Sequence, residues 1–266
     1  MQWVVANAEE YNIVSVNKSL GYISAFTEHY SDDNYYFREL KQLKYKNIIV
    51  CAAAGNDYDN NGKLGLSYPA CDPSVISVGA VSDGEYSEAP GCKLYKDSIL
   101  PFSQRSDYLS ILAPGGYKIT ADGHTKNGTS QATPMVAGLA VSAQQIANEY
   151  LGRSLTVDEF ESLLQSTGKE PYDSATLRVD SSDPLEEDRV ANTNKKYRRV
   201  DAYKLMKAIY AMKENEPSKP DLAPYAPTGW AGSLVLSTSS DDKTNATTFT
   251  SDTLYSHFAF QTTDKQ

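Results

Sequence analysis

The run Ile48-Ile49-Val50-Cys51-Ala52-Ala53 is apolar at every position and stops at Gly55. A strand with one wet face alternates apolar and polar residues, so a strand apolar throughout must be covered on both faces. Val75-Ile76-Ser77-Val78-Gly79-Ala80-Val81 repeats the pattern. Ile13-Val14-Ser15-Val16 and Ser110-Ile111-Leu112-Ala113 are shorter versions, the second stopped by Pro114-Gly115-Gly116. Helical spacing falls between these runs. Tyr36, Phe37, Leu40 and Leu43 share one helix face, and Thr156 with Glu159 forms a capping box opening a helix that carries Phe160, Leu163 and Leu164 and ends at Gly168. The segment from Ser130 to about Tyr150 is rich in small residues (Ala132, Ala137, Gly138, Ala140, Ala143) and reads as a central buried helix. Strands alternating with helices imply an α/β fold, with a mostly parallel sheet covered on both sides.

At 266 residues and 40% hydrophobic composition, the chain can hold one large α/β domain, or one domain and a small appendage. The net charge of −9, with no Lys/Arg cluster, argues against a nucleic-acid partner, which needs a basic face for phosphates. No apolar run approaches the ~20 residues of a membrane span. The opening Met1 to Tyr11 lacks a basic start and a long apolar core, so it is no signal peptide; it reads as an amphipathic helix already under way, and the chain is expected to be truncated there. Three cysteines are too few for a disulfide scaffold. Cys51 reads as core, while Cys71 and Cys92 flank a strand and loop, where spacing alone leaves pairing open. No Cys/His spacing typical of a metal site occurs.

Lys169 to Lys196 reads as a polar loop, whose Asp180, Asp183, Glu186, Glu187 and Asp188 are either calcium ligands or solvated charge. Helix returns over Val200 to Met212, and a Pro-rich linker begins near Glu216. Leu234-Val235-Leu236 and Leu254 to Phe260 are strand-like, as at the start of a β-module cut off at Gln266. The expected organisation is residues 1–212, a linker over 213–232 and a β-rich tail over 233–266.

Chemistry concentrates in Asn127-Gly128-Thr129-Ser130-Gln131-Ala132-Thr133-Pro134-Met135-Val136-Ala137-Gly138. A Gly turn delivers Ser130 to the mouth of a helix, where free N–H groups can hold an oxyanion while the hydroxyl attacks a carbonyl. The alternative is that Ser130 is an N-cap. Ala53-Ala54-Gly55-Asn56-Asp57 ends a buried strand, where open α/β sheets place their sites, and Asn56 can project a donor amide or be an ordinary turn residue. Asn17-Lys18-Ser19-Leu20-Gly21 also follows a strand, and its backbone could pair with an extended peptide.

These three segments, in this order, resemble the subtilisin-like serine proteases, and the likeness runs from about Met1 to Met212. Tyr68-Pro69, Pro73 to Val81, Phe102-Ser103, Ala113-Pro114-Gly115 and Arg199 to Ala202 also fall in the family's sequence. The resemblance implies a three-layer α/β/α fold and hydrolysis of peptide bonds in proteins. It implies that Ser130 is the nucleophile and Asn56 the side-chain donor of the oxyanion hole. Ser19, Leu20 and Gly21 would bind the substrate backbone; Ala53, Ala54 and Gly55 would wall the pocket for the residue before the cleaved bond, with Ser67 near its base and Asp57 at its rim. No cofactor is required. A weak cation site of main-chain carbonyls, for calcium or another ion, would map near Ala70, Asp72 and Val75, where Asp72 replaces the usual aromatic residue. Extracellular or cell-surface placement follows from the family, and the tail resembles an immunoglobulin-like, adhesion-type module.

Subtilases run Asp, then His, then Ser. The Asp-x-Gly and His-Gly-Thr segments belong upstream of Trp3, and neither string occurs in this chain. His29, His124 and His257 lack the family's context. The chain is therefore expected to be a protease fragment whose Asp and His come from a missing N-terminal segment, inactive alone and poorly soluble because sheet edge and apolar surface lie bare. The alternative is a catalytically dead protein that binds peptides in the same cleft; a half-domain completed by another chain is the remaining reading.

Overall fold

The computed structural model describes residues 1–31, 35–58, 64–84, 86–89, 92–116, 118–119, 123–171, 173, 176–179, 187–190, 192–215, 234–236 and 247–249. The helices are α1 (Gln2–Asn7), α2 (Tyr35–Tyr45), α3 (Thr129–Tyr150), α4 (Val157–Thr167) and α5 (Ala202–Asn215). The strands that build the main sheet are β1 (Ser15–Lys18), β3 (Ile49–Ala53), β5 (Ile76–Val81) and β8 (Ile111–Pro114), in that spatial order. Every neighbouring pair is parallel, with Val16 beside Val50, Ala52 beside Ser77, and Gly79 beside Leu112. Two strands antiparallel to one another, β2 (Tyr22–Phe26) and β4 (Leu66–Tyr68), flank the candidate cleft.

The apolar run of β3 behaves as its composition demands. All five residues are buried, and alternate side chains enter opposite cores. Ile49 and Cys51 join Ile76, Val78 and Ile111 against Ala132, Val136, Ala140 and Ala143 of α3, Phe160 of α4 and Leu205 of α5. Val50 and Ala52 face Phe37, Leu40 and Leu43 of α2. Helices on both sides of a parallel sheet make the three-layer α/β/α fold. Alanines along α3 let its backbone lie close to the strands, and the mouth of the helix meets the turn after β3, where Asn56 Oδ1 accepts the Thr129 N–H.

Local signals mostly hold. Thr156 caps α4: its Oγ1 accepts the Glu159 N–H at 3.1 Å, and its own N–H donates to Glu159 Oε2 at 2.8 Å. Gly168 ends that helix in an extended conformation (φ −64°), without the left-handed turn glycine permits. Four expectations are revised. The edge strand is Ser15–Lys18, two residues beyond the apolar run. The polar stretch after Lys169 contains an antiparallel pair, β11 (Thr176–Val179) with β12 (Glu187–Val190). Mixed polar and β-branched residues hid these short strands. The last helix begins at Ala202 and runs to Asn215. Cys71 is a free, buried thiol, which removes the pairing with Cys92. Asp180, Asp183 and Glu186 lie outside the described residues.

Short pairs complete the first unit, Met1–Glu216: β6 (Tyr86–Ala89) with β7 (Cys92–Leu94), and β9 (Lys118–Ile119) with β10 (Thr125–Lys126). Pro217–Gln266 is a separate unit, in which β13 (Leu234–Leu236) pairs antiparallel with β14 (Thr247–Phe249). Most of the expected linker and the stretch 254–260 lie outside the described residues. Among the described residues, no helix is long and apolar enough to cross a membrane.

Candidate active site

Beyond β3 the chain turns at Gly55, with φ +115°. A Cβ there would stand 1.7 Å from Gln104 Oε1, so glycine is required by conformation and by space. The turn sends Asn56 toward α3, where its Oδ1 accepts both the backbone N–H and the hydroxyl of Thr129, each at 2.9 Å. The same hydroxyl oxygen accepts the Gly55 N–H at 3.3 Å. With Oδ1 held on Thr129, the Nδ2 end of Asn56 is the end that remains for a ligand.

Gly128 (φ +153°) is the N-cap of α3, and its N–H donates to Gly115 O at 2.9 Å. Ser130 is therefore the second helical residue. This overturns the N-cap reading, and places its N–H among the unsatisfied donors at the positive end of a 22-residue helix. Four residues on, Pro134 has no N–H to give, which frees the Ser130 carbonyl. Ser19 Oγ takes that carbonyl at 2.7 Å, while Ser130 Oγ donates to Ser19 O at 3.3 Å. The segment after the edge strand is thus tied to the helix mouth.

A cavity of about 240 Å³ opens at this point, lined by Leu20, Gly21, Ala53, Gly55, Asn56, Asp57, Ser67 and Ser130. Of the residues singled out in the sequence, Ala54 is wholly buried behind the wall and Ser19 reaches the site only through Ser130. The structure adds Thr129, Tyr22 and Ile23 to the lining. Thr129 lies inside the Gly-Thr-Ser string, so its position was visible in the sequence; its grip on Asn56, 73 residues away, was not.

Among the described residues no histidine lines this cavity. His29 packs against Tyr108 with the rings tilted by 45° (centroids 4.3 Å) and its Nδ1 meets Cys71 O at 3.3 Å, beside a different cavity of about 460 Å³. His124 is exposed, and His257 lies outside the described residues. Neither described thiol offers an alternative nucleophile. Burial pushes Cys51 upward, and pushes Cys71 up to about 12, so both are protonated at neutral pH. Among the described residues no three His, Cys, Asp or Glu side chains gather as a metal site. Asp72 is fully buried; its Oδ1 accepts the Ser74 N–H at 2.6 Å and its Oδ2 has no partner, an environment that fits a cation.

Comparison with known proteins gives the family: the chain belongs to the Subtilase family (Peptidase_S8), whose family model matches residues 3–201. An intracellular serine protease of Paenibacillus polymyxa is 37% identical over 122 residues, covering 45% of this chain and 35% of the relative. Subtilisin amylosacchariticus of Bacillus subtilis subsp. amylosacchariticus is 33% identical over 148 residues, covering 53% and 32%. A halolysin-like extracellular serine protease of Natrialba magadii is 34% identical over 102 residues, or 36% of this chain and 16% of the relative. The matches thus span about a third or less of these relatives' length. Among solved structures, the prenylagaramide maturation protease PagA superposes with a TM-score of 0.53 at 22% identity, over 77% of this chain and 65% of that one, which supports the fold.

Proposed function

We propose that the cleft is the nucleophile-bearing part of a serine endopeptidase. The observation that carries this reading is the clamp of Asn56 on Thr129, next to Ser130 in the first turn of α3. In this reading Ser130 Oγ attacks the peptide carbonyl, and its proton passes to a histidine, oriented by an aspartate, on a segment N-terminal to Met1. Asn56 Nδ2 and the Ser130 N–H hold the negative oxygen that forms. The amine leaves, and water then releases the acyl group from Ser130. Ser19, Leu20 and Gly21 line up the substrate backbone, and Ala53, Ala54, Gly55 and Ser67 enclose the side chain before the cleaved bond. A structural calcium or other cation would sit near Ala70, Asp72 and Val75 and balance the buried Asp72 charge. We place the protein outside the cell or at its surface on the strength of the extracellular relative; the intracellular one marks the opposite outcome.

One observation favours a second reading, a peptide-binding protein without catalysis: the hydroxyl of Ser130 rests on a carbonyl, which cannot take its proton. The experiment that separates the two extends the reading frame at both ends of the gene, expresses the product and assays cleavage of a denatured protein. Cleavage abolished by Ser130→Ala supports the protease. Peptide binding without cleavage supports the second reading.

A further inference from the structure

Under the cleft lies a polar pair that the acyl-transfer steps do not use. Gln104 is buried, and its amide has one orientation: Nε2 donates to Ser24 O at 2.7 Å and to Gly65 O at 3.1 Å, two carbonyls that a flipped amide would meet oxygen to oxygen. Oε1 therefore faces Ser67. Since Oε1 carries no proton, the 2.6 Å contact is a bond donated by the Ser67 hydroxyl. That commits the single proton Ser67 has, and only lone pairs remain for anything else that reaches it. Ser67 lines the cavity beside Gly55 and Asp57. A Cβ on Gly55 would stand 2.1 Å from Ser67 Oγ and 1.7 Å from Gln104 Oε1, so the bare glycine leaves acceptor oxygens against the cavity wall. Asp57 also lines the cavity, and its carboxylate is an acceptor too. Among the described residues no lysine or arginine lines the cavity to neutralise them.

We propose that Gln104 is the specificity-setting residue of this cleft: by fixing the Ser67 hydroxyl it makes the pocket floor acceptor-only, and the pocket then selects a donor-only, cationic side chain, lysine above all. The inference rests on the cleft being the substrate site proposed above. An ammonium has three donors and no acceptor, which matches such a floor; a carboxylate brings acceptors against acceptors. Gln104 acts through Ser67 and touches no reacting atom, so it is a positioning residue.

The test reads binding, so turnover is not needed. Fluorescent peptides identical except for lysine, norleucine or glutamate at the pocket position are titrated against the full chain. Norleucine has the lysine stem without the ammonium. Lysine is expected to bind about tenfold more tightly than norleucine, with glutamate weakest. In Gln104→Leu the hydroxyl is released to donate: the lysine advantage should fall to about twofold, and glutamate should gain about tenfold, with norleucine unchanged. A purely structural role would weaken all three alike. Should Gln104→Leu fail to fold, Ser67→Ala keeps the Gln104 bonds to Ser24 and Gly65, and should likewise erase the lysine advantage. Norleucine binding as well as lysine to the unaltered chain, or an order unmoved by either substitution, overturns the proposal and leaves the cleft reading standing. Absence of binding by every peptide overturns both.

Discussion

Two polar clusters in this fold use bonds of the same length for opposite ends. Arg105 and Asp173 form one, with side chains 1% and 0% exposed. Arg105 Nε meets Asp173 Oδ1 at 3.1 Å, its Nη1 donates to Ser103 O at 2.7 Å, and the guanidinium lies over the Tyr58 ring at 4.1 Å. Asp173 Oδ2 accepts the N–H and the hydroxyl of Thr193 at 2.9 and 2.8 Å. Asn56, Thr129 and Ser130 form the other, with contacts of 2.9 Å on one side and a cavity on the other. In the enclosed cluster both charged groups spend their bonding capacity inside the protein, so it joins distant segments and offers nothing to a ligand. In the open one the acceptor end of Asn56 is spent and the donor end is kept. A site is a network left incomplete on the side where the substrate arrives.

The largest effect should come from breaking the enclosed cluster. Arg105→Met leaves Asp173 buried without its partner and should cost about 3–5 kcal/mol of stability, read by denaturant unfolding. Adding Asp173→Leu should recover most of that, since removing both charges also removes the desolvation cost. If the single substitution is silent, the ion pair is not a closed unit.

Opening the other cluster should strike function first. On the protease reading proposed above, Asn56→Ala should lower turnover by ~10²–10³, a magnitude transferred from subtilisin, whose oxyanion-hole Asn gives that loss. Its effect on stability should be about 1 kcal/mol, from the Thr129 donors left unpaired. Equal loss of folding and activity would erase the distinction between the clusters.

The capping box of α4 lies at the surface, and its loss should show in stability alone. Thr156→Ala should cost about 1 kcal/mol, seen as a shift in the unfolding midpoint. Burial alone would raise the Glu159 carboxyl, but the Arg153 guanidinium and the Thr156 N–H outweigh it and hold it below the ordinary value of 4.5. A depressed carboxylate contributes stability above its unfolded pKa and loses it as pH falls through the folded value. The stability gap between the unaltered protein and Glu159→Gln should therefore shrink with acidification below pH 4.5, and a gap that widens would contradict the assignment.

The strands of the main sheet, α2, the capping box and the Gly55 and Gly128 turns were readable because each is encoded within a few neighbouring residues. The string around Ser130 and the Asn56 turn were legible for the same reason. What escaped depends on pairings across long separations. Gln104 meets Ser67 across 37 positions, Arg105 meets Asp173 across 68, and Ser19 meets Ser130 across 111. Nothing local distinguishes a glutamine that seals a pocket from one that faces water. The antiparallel pairing of β2 with β4 has the same character. The rigid parallel sheet brings those partners together, so they become visible only once it is folded.

The most direct test of the central claim, that Ser130 is the nucleophile of the open cluster, is mass spectrometry after treatment with a fluorophosphonate, on protein expressed from the extended reading frame. The account predicts a single adduct on Ser130, absent in Ser130→Ala and formed more slowly in Asn56→Ala. A folded protein that cleaves peptides with Ser130 unlabelled, or that keeps cleaving after Ser130→Ala, would contradict it.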